Sequence, residues 1–234
     1  MYAVFGLKKI LTFITGLIVL VILGLMLNES PTDLFDFGKS AWKVASGVVT
    51  AFILLGSIPF VYRCAWRAYE FLFKGAYPDL SGEWRGTVES NYSVHRAIQN
   101  AANSTESKFN PLDPSQVEPI ALDVFEARLS IKATLLKINI LLEVKGLTDT
   151  SDSYSISATP IVAQNDEPHR LAYIYKSKHF KKAADDESNH TGAAEVQLRK
   201  NADGKLEMKG FYWTSRNWRR AGNTAGILTF VRED

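Results

Sequence analysis

Hydrophobic residues fall into two regimes along the chain. Ile10 to Leu27 and Val44 to Tyr62 are continuous apolar runs without one charged residue. At about 1.5 Å of rise per helical residue, the first run reaches roughly 27 Å, close to the hydrocarbon thickness of a bilayer. The second mixes branched residues with Ala45, Gly47, Ala51 and Gly56, small side chains that let membrane helices approach one another. Pro59 stands near its end and predicts a kink. A cleaved secretory signal is the alternative for the first run. Its length and the sequence Met26-Leu27-Asn28-Glu29, which has no small-x-small pattern, favour retention.

After Tyr77-Pro78-Asp79 the period changes to two, in short alternating stretches separated by Gly, Asn, Asp and Pro. This pattern predicts antiparallel strands near Ser81–Glu89, Ala121–Ile131, Leu135–Lys145, Ser153–Val162, Arg170–Tyr175, Gly192–Arg199, Lys205–Trp213 and Ala225–Arg232. Eight such strands suit a small closed barrel. The fold class expected is therefore two N-terminal transmembrane α-helices (residues 1–78) followed by an antiparallel all-β domain (79–234), a closed eight-stranded β-barrel. Asn201-Ala202-Asp203-Gly204 is the clearest hairpin signal. Gly146–Asp149 and Gln164–Pro168 mark two further turns. Residues 90–119, rich in Asn and Ser and carrying three prolines, read as a long irregular excursion, and His179–His190 as a second polar one.

Charge orients the chain. Lys8 and Lys9 precede the first span, and Arg63, Arg67 and Lys74 follow the second, while Glu29, Asp33 and Asp36 accompany Lys39 between them. The positive-inside rule then places both termini in the cytoplasm. Tyr62, Trp66, Tyr69, Phe71 and Phe73 are expected at headgroup level as the chain leaves the bilayer. The whole chain holds 27 basic and 25 acidic residues. A near-neutral β domain argues against a partner as highly charged as a DNA or RNA polymer. Cys64, the sole cysteine, excludes an internal disulfide framework and any Cys-rich zinc site.

No nucleophile, base or metal-ligand spacing assembles into a familiar catalytic or metal motif, so neither an enzyme nor a metal site is predicted. Asp185-Asp186-Glu187 reads as a solvated turn. The densest chemistry lies between Tyr212 and Thr224, where Trp213, Arg216, Trp218, Arg219 and Arg220 join forked cations to flat rings. Guanidinium groups match phosphate oxygens and aromatic rings stack on bases. That composition fits one compact anionic nucleotide, or else an exposed basic turn over packed aromatics. Tyr173 and Tyr175 share one strand face by alternation. Trp84, in Gly82-Glu83-Trp84, is expected to plug one barrel end.

With two spans ahead of Leu80–Gly86, Tyr173-Ile174-Tyr175, His190-Thr191-Gly192, Gly210-Phe211-Tyr212 with Arg216, and Gly226-Ile227-Leu228, the chain resembles the SMODS-associating TM-β effectors of CBASS anti-phage systems. The resemblance implies a bacterial inner-membrane protein whose cytoplasmic barrel captures a cyclic dinucleotide and uses no cofactor. It further implies that binding drives the chain to homo-oligomerise, disrupt membrane lipid and kill the infected cell. In that role Arg216, or Arg219 or Arg220, would pair with phosphates. Tyr173, Tyr175, Tyr212 or Trp213 would stack on bases, and Asn223 or Thr224 would read polar edges. Tyr212 and Trp213 are strand neighbours, so alternation allows only one of them inside unless a bulge intervenes. The rival readings are a lipocalin-like barrel for an apolar ligand and a scaffold that docks a protein partner.

Overall fold

The structure, a computed structural model, describes residues 2–28, 33–73, 75–145, 150–164, 167–179 and 187–233. The turn expected at Gly146–Asp149, the centre of the one at Gln164–Pro168, the acidic residues Asp185 and Asp186, and the flanking Glu29 and Lys74 lie outside them. Two compact units are present. One comprises the chain to Asp79 together with the turn Ala133–Ile138, and the other comprises Leu80–Lys132 and the chain from Asn139 onward.

In the first unit, α1 (Leu7–Asn28) and α2 (Leu34–Ser57) are long and apolar enough to cross a membrane. Asp33 caps α2, its carboxylate accepting the Asp36 N–H at 2.7 Å. The expected kink at Pro59 is a complete break. A residue before proline is pushed out of the helical region, and Ile58 accordingly sits at φ −85° and ψ 120°, ending α2 one residue earlier. Pro59 then opens α3 (Pro59–Leu72), where its missing N–H costs nothing. The aromatic residues of α3 divide between two faces. Tyr62 and Trp66 are buried, the Tyr62 hydroxyl donating to Asp79 at 2.9 Å and the Trp66 indole to the Tyr77 carbonyl at 3.0 Å. Phe5 packs edge-on against Trp66 and Tyr69. Of the rings expected at headgroup level, only Phe71 and Phe73 are exposed, because the others find partners within the unit.

The second unit is a closed barrel in which every strand pairs with its sequence neighbour and β1 closes on β8. Its strands are β1 (Gly82–Ser90), β2 (Asp123–Ala133), β3 (Ile138–Lys145), β4 (Thr150–Ile161), β5 (His169–His179), β6 (Asn189–Lys200), β7 (Leu206–Thr214) and β8 (Ala225–Arg232). Three features depart from the sequence reading. The excursion at 90–119 contains α4 (Tyr92–Ala102) and the short turn α5 (Pro114–Val117). Helix α4 turns Val94, Ala97, Ile98 and Ala101, at helical spacing, to its partly buried side, and polar contacts fix it: Arg96 grips the Asp123 carboxylate with two bonds of 2.7 and 2.9 Å, and Ser93 donates to the Ala121 carbonyl. β5 reaches His179 and β6 starts at Asn189, so the second polar excursion is shorter than expected. Finally, β3 begins at Ile138 rather than Leu135, because the Thr134 hydroxyl accepts the Lys137 N–H at 3.0 Å and closes a tight turn. At the apex of that turn the Leu135 N–H donates to the Gly56 carbonyl of α2 at 3.0 Å, satisfying one of the carbonyls that a helix end leaves open.

Alternation sends Trp84, Leu129, Ile131, Leu171, Met208 and Phe230 into the barrel, all essentially inaccessible to solvent. The Trp84 indole donates to the Leu80 carbonyl at 3.1 Å, so its polar edge is satisfied as its ring fills that part of the interior. Replacing Trp84 with Ala is expected to cost about 3–5 kcal/mol, measured as the drop in unfolding free energy of the full chain in detergent, with Trp84→Phe losing distinctly less.

Candidate functional site

The other part of the interior is lined differently. Strand register aligns Tyr173 with Ala194, Ala194 with Tyr212, Tyr212 with Gly226, and Gly226 with Ser90. The next inward row runs from Tyr175 through Gly192 to Thr214. Small side chains thus alternate with phenols around the wall. The space left is a cavity of about 740 Å³ counted out to its mouth, of which about 130 Å³ lies far enough from the walls to hold the centre of a water molecule. Only the smaller figure compares with cavity volumes, and it lies below the roughly 300–1,000 Å³ of small-molecule sites.

Two glycines make this arrangement possible. A Cβ on Gly192 would run into the Tyr175 ring and hydroxyl, and one on Gly226 would meet the Glu89 carbonyl and come within 3.0 Å of the Tyr212 ring. Glycine is therefore needed where each phenol crosses the neighbouring backbone. The Tyr173 and Tyr175 rings lie 5.9 Å apart at 45°. Their burial pushes both phenol pKa values far above the ordinary range, with the adjacent phenols adding to the effect at Tyr175. Tyr212 is raised by burial, against a hydrogen bond with Ser90 and the positive charge of Arg216. All three rings are uncharged at neutral pH, as a stacking surface requires.

The mouth is organised by Thr214. Its hydroxyl lies 2.9 Å from that of Thr224, accepts the Thr224 N–H at 3.2 Å and accepts the Arg216 N–H at 3.3 Å. Asn223 closes the same connection by donating its side-chain amide to the Thr214 carbonyl at 3.1 Å. Arg216 lines the cavity half-buried, its guanidinium 5.8 Å from the centre of the Tyr92 ring on α4. His95 of α4 meets the Asn223 carbonyl at 2.6 Å. Helix α4, unforeseen from sequence, thus braces the β7–β8 connection that carries the cation.

The nine residues singled out from sequence separate cleanly. Tyr173, Tyr175, Tyr212, Arg216 and Thr224 line the cavity. Trp213 faces outward and is about half exposed, since Tyr212 takes the inward position without an intervening bulge. Arg219 and Arg220 are exposed on a 3-10 turn, Trp218–Arg220, flanked by Asn217 and Ala221 in the left-handed region. There Arg219 lies over the Trp218 ring and Arg220 donates to the Asn217 side chain at 2.8 Å. Asn223 acts on the backbone, as described. Ser90, Ser153, Ser177 and Thr214, not singled out from sequence, also line the cavity, as does His190 of the His190-Thr191-Gly192 motif. Alternation would have found two of them: Ser177 is two residues beyond Tyr175, and Thr214 two beyond Tyr212. A wider depression on the outer strand surface, floored by Arg85, Arg128 and Glu143, carries both signs of charge and no aromatic ring.

Comparison with known proteins agrees with this architecture. Residues 118–232 match the family described as Cap15, cyclic dinucleotide receptor domain. Over 197 residues, 84% of this chain and 84% of the relative, the sequence is 27% identical to CD-NTase-associated protein 15 of Escherichia albertii.

The buried phenols make a prediction about pH. A group whose folded pKa is raised contributes stability that is complete below its unfolded pKa, about 10 for tyrosine, and is lost as pH rises through the folded value. Unfolding free energy should therefore fall above about pH 10, by up to about 1.4 kcal/mol per pH unit for each phenol still protonated in the fold. Denaturant titration of wild type beside a Tyr173→Phe, Tyr175→Phe double variant checks this, the variant showing the shallower decline.

Proposed function

We propose, from the match of residues 118–232 to the Cap15 cyclic dinucleotide receptor domain family, that the barrel captures a cyclic dinucleotide at its mouth and serves as a non-catalytic CBASS effector. The observation that carries this reading is the convergence of one guanidinium, three neutral phenols and a set of hydroxyls on a single cavity. A cyclic dinucleotide presents two phosphodiesters and two bases. Arg216 offers forked donors to one phosphate. The hydroxyls of Ser90, Ser153, Ser177 and Thr224 supply neutral donors for the second phosphate and the base edges. Tyr173, Tyr175 and Tyr212 provide rings against which bases stack, a contact worth about 1–3 kcal/mol per base in nucleic-acid complexes. Arg219, Arg220 and Trp213 receive no ligand contact in this assignment, and Asn223 positions the β7–β8 connection.

The helical unit supplies the output. Both termini face the cytoplasm and α1 and α2 cross the inner membrane. Ligand binding favours a clustered state of the chain, and clustering of the spans disrupts the bilayer. Such a response requires the ligand to bind the clustered state more tightly than the resting one, because equal affinity shifts nothing. The β2–β3 turn belongs to the helical unit, while Phe125 of β2 and Leu142 and Val144 of β3 line the cavity.

Calorimetric titration of the full chain in detergent with a panel of cyclic dinucleotides tests the assignment. Arg216→Ala should weaken the best ligand by about 10- to 100-fold, the range expected for loss of a charge-assisted hydrogen bond. An Arg219→Ala, Arg220→Ala variant should stay within about threefold of wild type, allowing only for long-range attraction screened by salt. Heat from no cyclic dinucleotide would remove the ligand reading, and equal losses in both variants would return the phosphate site to the exposed turn.

A further inference from the structure

Helix α3 has a second face that the packing of its unit leaves open. At roughly 100° per residue, Phe60, Cys64, Arg67 and Phe71 fall within an arc of about 60°, and Arg63 lies about 40° beyond it. All five are exposed, Phe60 at 73% and Phe71 at 89%. The opposite face is occupied: Tyr62 and Trp66 are buried, and Phe5 covers Trp66 and Tyr69. The helix's single carboxylate, Glu70, accepts the Asp79 N–H at 2.7 Å. Neither Arg63 nor Arg67 forms an ion pair among the described residues.

We propose that this face of α3 lies in the membrane interface and binds the headgroups of anionic phospholipids through Arg63 and Arg67. The proposal rests on the reading of α1 and α2 as membrane spans. Three observations select lipid as the occupant. Only Ile58 separates α3 from α2, so the helix starts where an apolar run long enough to span ends. Its exposed face pairs large rings with cations, the composition of helices that rest at the acyl–headgroup boundary. Its charge is complementary to a negatively charged leaflet. The break at Ile58–Pro59 has a function here, because a continuous helix would carry these rings and cations on along the α2 axis instead of releasing them to turn along the surface.

The single cysteine makes the test direct, since Cys64 is exposed midway along the length of the face, at one edge of its arc. The full chain is reconstituted into vesicles of phosphatidylcholine alone or with phosphatidylglycerol, and flotation reports whether it is anchored. A nitroxide on Cys64 should be more accessible to oxygen than to a water-soluble nickel chelate, as for a site at the boundary. Spin-labelled lipids should show phosphatidylglycerol preferred over phosphatidylcholine at the protein surface. Arg63→Gln and Arg67→Gln should each reduce that preference by roughly fivefold, the equivalent of about 1 kcal/mol per basic residue, with flotation unchanged. Anchored protein whose label favours the nickel chelate, or whose lipid preference survives both substitutions, would overturn the proposal. Dipolar broadening between labels shielded from both reagents would assign the face to a second copy instead. Failure to float would remove the spans and the lipid face together, while leaving ligand titration of the barrel intact.

Discussion

A closed eight-stranded sheet fixes how much interior there is, and every inward side chain draws on that one volume. Large inward residues fill one part. Trp84, Leu129, Ile131, Leu171, Met208 and Phe230 leave no room there, and they are correspondingly inaccessible. Toward the mouth, apolar Phe125, Leu142, Val144 and Leu228 are interspersed with Ser90, Ser153, Ser177, Gly192, Ala194 and Gly226, and the volume the small residues release is shared between the three phenols and the cavity. The gradient from large to small residues is what turns a packed core into a receptacle. Because closure leaves no edge through which strands could slip, the gradient is stable against changes of register.

The same gradient sets the electrostatics of the site. The phenols are buried, which raises their pKa values, and in so poorly polarisable a medium an anion interacts strongly with any fixed donor. A fully buried cation would pay heavily for that environment in the empty protein. Arg216 avoids this cost by standing half-buried at the rim, against the face of Tyr92. Neutral hydroxyls, cheap to hold while the site is empty, carry the polar lining further in. Such a division suits a ligand whose charge is spread over two phosphodiesters and whose remaining surface is flat and aromatic.

Those features that depend on periodicity were legible in the sequence. The two apolar runs, the eight alternating stretches and the shared face of Tyr173 and Tyr175 all follow from spacing alone, and the closed barrel follows from their number. What escaped was set by partners distant in sequence. Helix α4 was missed although Val94, Ala97, Ile98 and Ala101 keep helical spacing; the Arg96–Asp123 pair and the contact of His95 with Asn223 that fix it leave no local trace among so many Asn and Ser residues. The cluster at Trp218–Arg220 misled for the opposite reason. Composition concentrates three arginines within five residues, but Asn217 and Ala221 in the left-handed region turn Arg219 and Arg220 to solvent and leave Arg216 lining the cavity. The rings of α3 show the same limit: hydropathy marks them as interfacial, yet only contacts with Phe5, Tyr77 and Asp79 decide which of them remain available.

The helical unit raises the question of why the second apolar run ends in a break rather than a simple exit. A proline within a helix removes one backbone bond and usually leaves a bend. Here the chain abandons helical geometry at Ile58, and the freed end of α2 is partly satisfied from outside, by the Leu135 N–H on the Gly56 carbonyl. Backbone groups at a helix end need partners wherever water is scarce. One partner comes from the β2–β3 turn, which belongs to the helical unit. Withdrawal of the turn would leave the Gly56 carbonyl short of a donor, and that cost falls on α2 rather than on the barrel.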